Sequence, residues 1–199
     1  MILKGISLAP GIAVGKAFRL EPGWGHHQTD SIRAEDVLGE VARFEVACKA
    51  AENDLVSAAH ATSLSAGREE SKIFDAHRAL VRDPFFVSRV KSLITDSHYS
   101  AERSVGIILE EYEGILKRLP EGNHSDRVVD LRDVLGRVLG HLRGRPADAV
   151  PPEGDPVVLV APEFLPSFAH LLDKANVVGL ITETGGATSH GAILARALG

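Results

Sequence analysis

The spacing of apolar residues changes twice along this chain, from a strand pattern to a helical one and back to short runs. Over 2–20 the pattern reads strand, turn, strand, with Pro10-Gly11 as the turn. Ile12, Val14, Phe18 and Leu20 fall on one face at a period of two, interrupted by Lys16. The opposite face carries Ala13, Gly15 and Ala17, small enough for close packing, and Gly15 also suits a bulge. From 34 to 61 the period lengthens. Val37, Val41, Phe44, Cys48, Ala51, Leu55 and Ala58 alternate in steps of four and three, the seam of a paired helix. Gly67 marks a break, and 69–82 predicts a second helix with Ile73, Phe74, His77, Leu80 and Val81 on one side. Asp83-Pro84 stops that helix or starts the next, a short one over 85–94. Ser100 caps a helix to 119, with Val105, Ile108, Tyr112, Ile115 and Leu119 inward. Ser125 caps a last one, with Val128, Leu131, Leu135, Val138 and Leu142 inward, ended by Gly144 and Pro146. Short runs then return: a strand over 157–161, a helix over 167–174 and a buried strand over 177–181.

Strand patterns at both ends and helices between them predict an α/β domain with an all-α helical bundle inserted into it. The expected boundaries are 1–21 and 150–199 for the α/β part and 24–146 for the bundle. The 199 residues, 44% hydrophobic, suffice for one large or two small domains. A net charge of −5 argues against a nucleic-acid surface. Apolar runs stay well short of the roughly 18 residues that predict a membrane span. The N-terminus lacks a signal-peptide pattern. The one cysteine, Cys48, cannot form an internal disulfide, which fits a cytoplasmic protein, and its seam position predicts a core residue. His26-His27 sits in a linker over 21–31 and reads as solvated, so no metal site is expected. Gly15-Lys16 lacks the spacing and the Ser/Thr of a P-loop.

The candidate chemistry lies behind the last strand, in T-E-T-G-G-A-T-S-H-G-A-I-L-A-R, 182–196. Gly185-Gly186 allows a tight turn and the close approach of another group. Thr188 and Ser189 are N-cap types, and helix formers follow, so His190 is expected in the first turn of a helix. There the helix dipole disfavours a cationic imidazole, and free N–H groups favour an anion. A neutral ring at that address keeps a nucleophilic nitrogen, and a phosphoryl group bound to it meets ready donors. Thr184, Thr188 and Ser189 offer hydroxyls as well. The competing reading is a capping or surface histidine beside a turn.

The string T-G-G-A-T-S-H-G-A-I-L-A-R resembles the phosphohistidine signature of the phosphoenolpyruvate-utilising enzymes. The opening S-L-A-P-G-I-A-V-G-K-A resembles the Enzyme I branch of that family much more than the dikinases. The resemblance implies that the α/β part is a phosphohistidine (swivelling) domain, here incomplete. It implies that His190 is the residue phosphorylated from phosphoenolpyruvate, with Gly185, Gly186, Thr188 and Ser189 around the phosphate. The inserted bundle then docks the carrier HPr, whose own histidine receives the phosphoryl group. The string I-F-D-A-H carries an interface role onto His77, and D-R-V-V-D-L-R-D carries one onto Arg127, with Leu80 adding apolar contact. On the residues alone, His77 and Leu80 equally suit core packing, and Arg127 an ion pair with Asp130 one turn away.

Three departures from the resemblance stand out. Pro84 and Phe85 replace acidic residues of the branch, Ala169 replaces a threonine that orients the histidine, and Ala187 replaces an arginine. The chain also stops at Gly199, before the family's next strand and before its barrel, to which phosphoenolpyruvate and magnesium binding belong. Cofactors are therefore expected in the barrel and not here. Open sheet edges, and with them marginal stability or a homodimer, are expected. The alternatives are a non-catalytic HPr-docking module and the swivelling domain of a dikinase-like enzyme.

Overall fold

The computed structural model describes residues 4–20, 31–65, 67–116, 118, 124–144, 151–172, 176–186, 192, 193 and 196. The chain divides into two compact units: Met1–Glu21 with Ala149–Gly199, and Pro22–Asp148. His26 and His27 lie outside the described residues.

The second unit contains five helices among the described residues: α1 (Val37–Ser65), α2 (Arg68–Val81), α3 (Pro84–Ser97), α4 (Ala101–Leu116) and α5 (His124–Leu142). A 3-10 turn, Ala34–Asp36, leads into α1. The buried stripe of α1 is Phe44, Ala47, Ala51 and Leu55, with Val37, Val41, Cys48 and Ala58 half-buried along its flank. It meets Phe74 of α2, Phe86, Val90 and Ile94 of α3, Val105 and Ile108 of α4, and Val134, Leu135, Val138 and Leu139 of α5 in one core. Phe44 and Phe86 pack edge to face with centroids 5.9 Å apart. On α4 the expected inward set needs one correction: Ile115 is exposed, and Leu116 packs on the core instead. Ten residues at about 100° each turn Ile115 roughly 80° off the line through Val105, whereas Leu116 comes back to it.

The helix ends follow local chemistry. Asp83 both closes α2 and opens α3, its Oδ1 accepting from the Phe85 and Phe86 amides at 2.7 and 3.1 Å, with Pro84 as the first helical residue. Ser100 Oγ accepts from the Arg103 amide at 3.2 Å. Ser125 stands inside α5, not at its cap. Gly144 takes φ +61 just past the end of α5.

Two buried carboxylates bind the bundle together. Glu40 of α1 accepts the Ala101 amide at the head of α4 at 2.6 Å and Arg43 Nη1 at 2.8 Å. Arg43 also pairs with Glu102 and donates to the Leu142 carbonyl at the end of α5, 3.2 Å away. Glu52 receives Arg82 of the α2–α3 turn and Lys49, the latter at 3.1 Å. A charge this deep is tolerated because each oxygen has a donor.

The first unit contains β1 (Lys16–Arg19), β2 (Val157–Ala161) and β3 (Val177–Thr182), all parallel in the order β1-β2-β3. Val157, Leu159 and Ala161 turn inward at the period of two. Phe164, Leu165, Phe168 and Leu171 bury beside them, the last on α6 (Ala169–Leu172) after a 3-10 turn at Pro166–Phe168.

Two expectations for this unit are corrected. Residues 12–15 are not strand, and Ile12 is 97% exposed. Lys16 pairs with Val157, so residues 12–14 would need partners upstream, where Pro151-Pro152 and a bend over 153–155 end the ladder. The small-residue face does allow close packing: a Cβ on Gly15 would stand 2.6 Å from the Pro156 carbonyl oxygen, and one on Gly179 would stand 3.0 Å from Ala13 Cβ. The run over 177–181 was expected to be buried. It forms β3, whose Val178 and Ile181 are exposed, because β3 has a neighbour on one side only among the described residues.

Candidate functional site

Parallel strands direct loops from their carboxyl ends to one edge of the sheet, where such sheets place ligands. At that edge β2 runs into Pro162-Glu163 and β3 into Glu183-Thr184-Gly185-Gly186. Three hydrogen bonds join the two loops. The Glu183 amide donates to the Ala161 carbonyl at 3.1 Å, and the Thr184 amide to the Pro162 carbonyl at 2.9 Å. The Thr184 hydroxyl donates to the same Pro162 oxygen at 3.0 Å.

Directly after this tie, Gly185 takes φ +128, a conformation that side chains strongly disfavour. A Cβ there would approach no atom closer than 3.9 Å, and one at Gly186 would meet nothing within 4 Å. Gly185 is thus required by its backbone angle, and both glycines are open to solvent. Ala187, Thr188, Ser189 and His190 lie outside the described residues. Beyond them Ala192, Ile193 and Arg196 are helical, with Ala192 buried. The glycine loop leaves a strand end, and the next described residues along the chain are helical.

Thr184 departs from its expected part. A hydroxyl has one proton to give, and Thr184 gives it to Pro162. Glu163, which the sequence reading missed, is 7% exposed at the end of β2. A charged residue between Pro162 and Phe164 gives no periodic signal, so only the packing reveals its burial.

The residues carried onto the bundle separate by depth. His77 is 3% exposed, so its ring does not stand at the surface, and a direct interface contact by that side chain is corrected to a position beneath it. It lies between α2 and α5, with Nε2 3.4 Å from Asp130 Oδ1 and Nδ1 3.6 Å from Asp133 Oδ2. Neither ring nitrogen reaches hydrogen-bond geometry with a partner. Asp130 of α5 thus stands beside His77. Arg137 Nε stands 3.8 Å from Asp133 Oδ1 and is itself buried. Leu80 is half-buried against the core, Arg127 is exposed, and Phe85 is 66% exposed at the head of α3. Cys48 is an unreactive thiol: burial, then Glu45, pushes it up to about 12.

Among the described residues no three His, Cys, Asp or Glu side chains gather to hold a metal. No helix there is long and apolar enough to cross a membrane.

Comparison with known proteins places these features together. Residues 4–124 match the family described as PEP-utilising enzyme, N-terminal, and 153–199 match the PEP-utilising enzyme, mobile domain. The phosphoenolpyruvate-protein phosphotransferase of Enterococcus faecalis is 32% identical over 199 residues, covering 99% of this chain and 34% of that protein. Its namesake from Listeria monocytogenes is 33% identical over 197 residues, covering 98% and 34%. The chain thus spans about a third of the length of these relatives. Among solved structures, the solution structure of an Enzyme I protein (nEIt) is similar at a TM-score of 0.76 and 31% identity, over 99% of this chain and 79% of that one. The N-terminal domain of Enzyme 1 – Nitrogen is similar at 0.68 and 27%, over 96% and 78%. This chain, mostly helical with a small parallel sheet, is thus similar in fold to the Enzyme I N-terminal domain.

Proposed function

The chain belongs to the PEP-utilising enzymes, and we propose that it is the phosphoryl-relay part of a phosphoenolpyruvate-protein phosphotransferase, carrying the group on His190 and exchanging it with a histidine of an HPr-like carrier. The observation that carries this reading is the Gly185 turn. It leaves the carboxyl end of a parallel strand at φ +128 and leads into Thr188-Ser189-His190.

In the carrier step, a neutral imidazole attacks phosphorus. One P–N bond breaks on the donor ring as another forms on the acceptor ring, and no proton or electron is left over. Such a transfer depends on in-line placement and on stabilising spread negative charge. Gly186 leaves room for the incoming group, since a Cβ there would meet nothing within 4 Å. The five-helix unit is the docking platform, with Arg127, Phe85 and Leu80 toward the carrier and His77 beneath them. Phosphoenolpyruvate and magnesium binding belong, on this reading, to the barrel that the family resemblance implies and not to these residues. The role also implies a cytoplasmic address.

The test is phosphoryl uptake. Incubated with HPr radiolabelled on its phosphohistidine, the chain is expected to gain acid-labile label, and a His190→Ala variant none. Phosphoenolpyruvate with magnesium, but without HPr, is expected to give no label on this chain. Equal labelling of the variant would defeat the assignment of His190.

A further inference from the structure

Two large apolar side chains stand in solvent at one end of the helix pair α3 and α4. Phe85 is 66% exposed in the first turn of α3, and Ile115 is 55% exposed in the last turn of α4. We propose that Phe85 and Ile115 together form the anchor for the carrier, so that this surface selects a carrier by apolar side chains and not by a basic patch. The assignment rests on the relay reading above and names the chemistry of its partner.

Three observations support it. First, the two residues are neighbours. Arg89 of α3 and Glu111 of α4 are joined at 3.1 Å. Phe85 lies one turn before Arg89 and Ile115 one turn after Glu111, each on the same helix face as its charged neighbour, so the two stand side by side beyond that pair. Tyr112 agrees with this register: burial, then the carboxylates of Asp83 and Glu111, push its hydroxyl up, which sets Asp83 beside the last turns of α4. Second, the core does not use these side chains. The adjacent residues supply it instead, Phe86 at 1% exposure and Leu116 half-buried against the cluster. Third, the charges beside them do not suit a basic partner. Glu111 is paired with Arg89, and Asp83 Oδ1 accepts the Phe85 and Phe86 amides. Arg118, a turn past Ile115, is exposed and cationic. Steering of a basic face is therefore weak here, and removal of apolar area from water is the interaction that remains.

The experiment titrates HPr into the 199-residue chain in a calorimeter and repeats it with Phe85→Ala, Ile115→Ala and Phe85→Leu. F85A is expected to bind about tenfold more weakly and I115A about threefold, the scale of truncated apolar anchors, whereas F85L keeps most of the affinity. Raising salt from about 50 to about 500 mM is expected to change the wild-type Kd less than about threefold, because apolar contact is not screened. Both side chains are exposed, so the variants are expected to keep the melting temperature. In phosphoryl uptake from radiolabelled phospho-HPr, F85A is expected to raise KM and leave the maximal rate unchanged. Wild-type affinity in both F85A and I115A overturns the anchor, and labelling of the wild-type chain then leaves the relay reading intact. A Kd that weakens more than about tenfold over that salt range overturns it as well. A self-association that F85A abolishes, with HPr affinity unchanged, assigns the pair to a second copy of this chain and overturns it too. No binding of HPr and no label on the wild-type chain overturn both.

Discussion

The five-helix unit and the three-stranded unit use their apolar residues differently. In the bundle, Phe44, Phe74, Phe86, Leu135 and Leu139 are shut off from water, and even charged Glu40 and Glu52 are enclosed with donors. In the sheet unit, Val178 and Ile181 of β3, and Ile12 and Val14 ahead of β1, stand in solvent. The large core cluster lies in the first and the candidate chemistry in the second. On the proposed relay, a loop that receives and releases a phosphoryl group needs room for a side group at Gly185 and Gly186, and such room contributes no packing. The docking role proposed for the bundle needs the opposite, a rigid frame that holds exposed Phe85 and Arg127 in register.

That contrast can be broken in order of expected effect. Phe44→Ala should be the most damaging, costing about 3–5 kcal/mol because the ring is fully buried in the bundle core. Denaturant melting should show the loss in the helical signal. An effect under about 1 kcal/mol would mean that the core is far more plastic than its packing indicates. Gly15→Ala tests the other unit. Its Cβ would stand 2.6 Å from the Pro156 carbonyl oxygen, so backbone must shift, at a cost of about 1–3 kcal/mol. Carrier binding by the bundle should survive that change, which calorimetric titration with HPr would show. Asp83→Ala removes two hydrogen bonds at the head of α3 and should cost about 1 kcal/mol in the bundle melt.

The smallest effect concerns pH. Hydrogen bonds from Arg82 and then Lys49 hold the Glu52 carboxyl below its ordinary value of 4.5. A depressed folded-state value means that its contribution is fully present above the unfolded value and is lost as pH falls through the folded one. Glu52→Gln should therefore flatten the loss of stability below about pH 4.5, read as the urea midpoint across an acid series. An unchanged acid limb would show that the pair with Arg82 contributes nothing there.

The bundle was largely legible in the sequence because helical periodicity repeats over many turns, and an error at one position is averaged out. Val128, Leu131, Leu135, Val138 and Leu142 are all buried as their spacing requires. The error at Ile115 arose where the nominal 3.5-residue repeat drifted from the true helical pitch by the end of α4. Strands give fewer repeats. The alternation through Ile12 and Val14 looked like a strand, yet pairing requires a neighbour, and β2 starts too late to supply one.

At the candidate site, local rules alone determined the glycine turn, the strand before it and the helix-forming residues after it, because φ, β-branching and capping are properties of adjacent residues. Tertiary structure decided which groups were already engaged. Thr184 gives its proton to a carbonyl 22 residues away. Glu163 is enclosed, and His77 lies between two carboxylates on another helix. Burial and hydrogen-bond partnership depend on what the fold brings alongside, and no one-dimensional pattern encodes a neighbour that is distant in the chain.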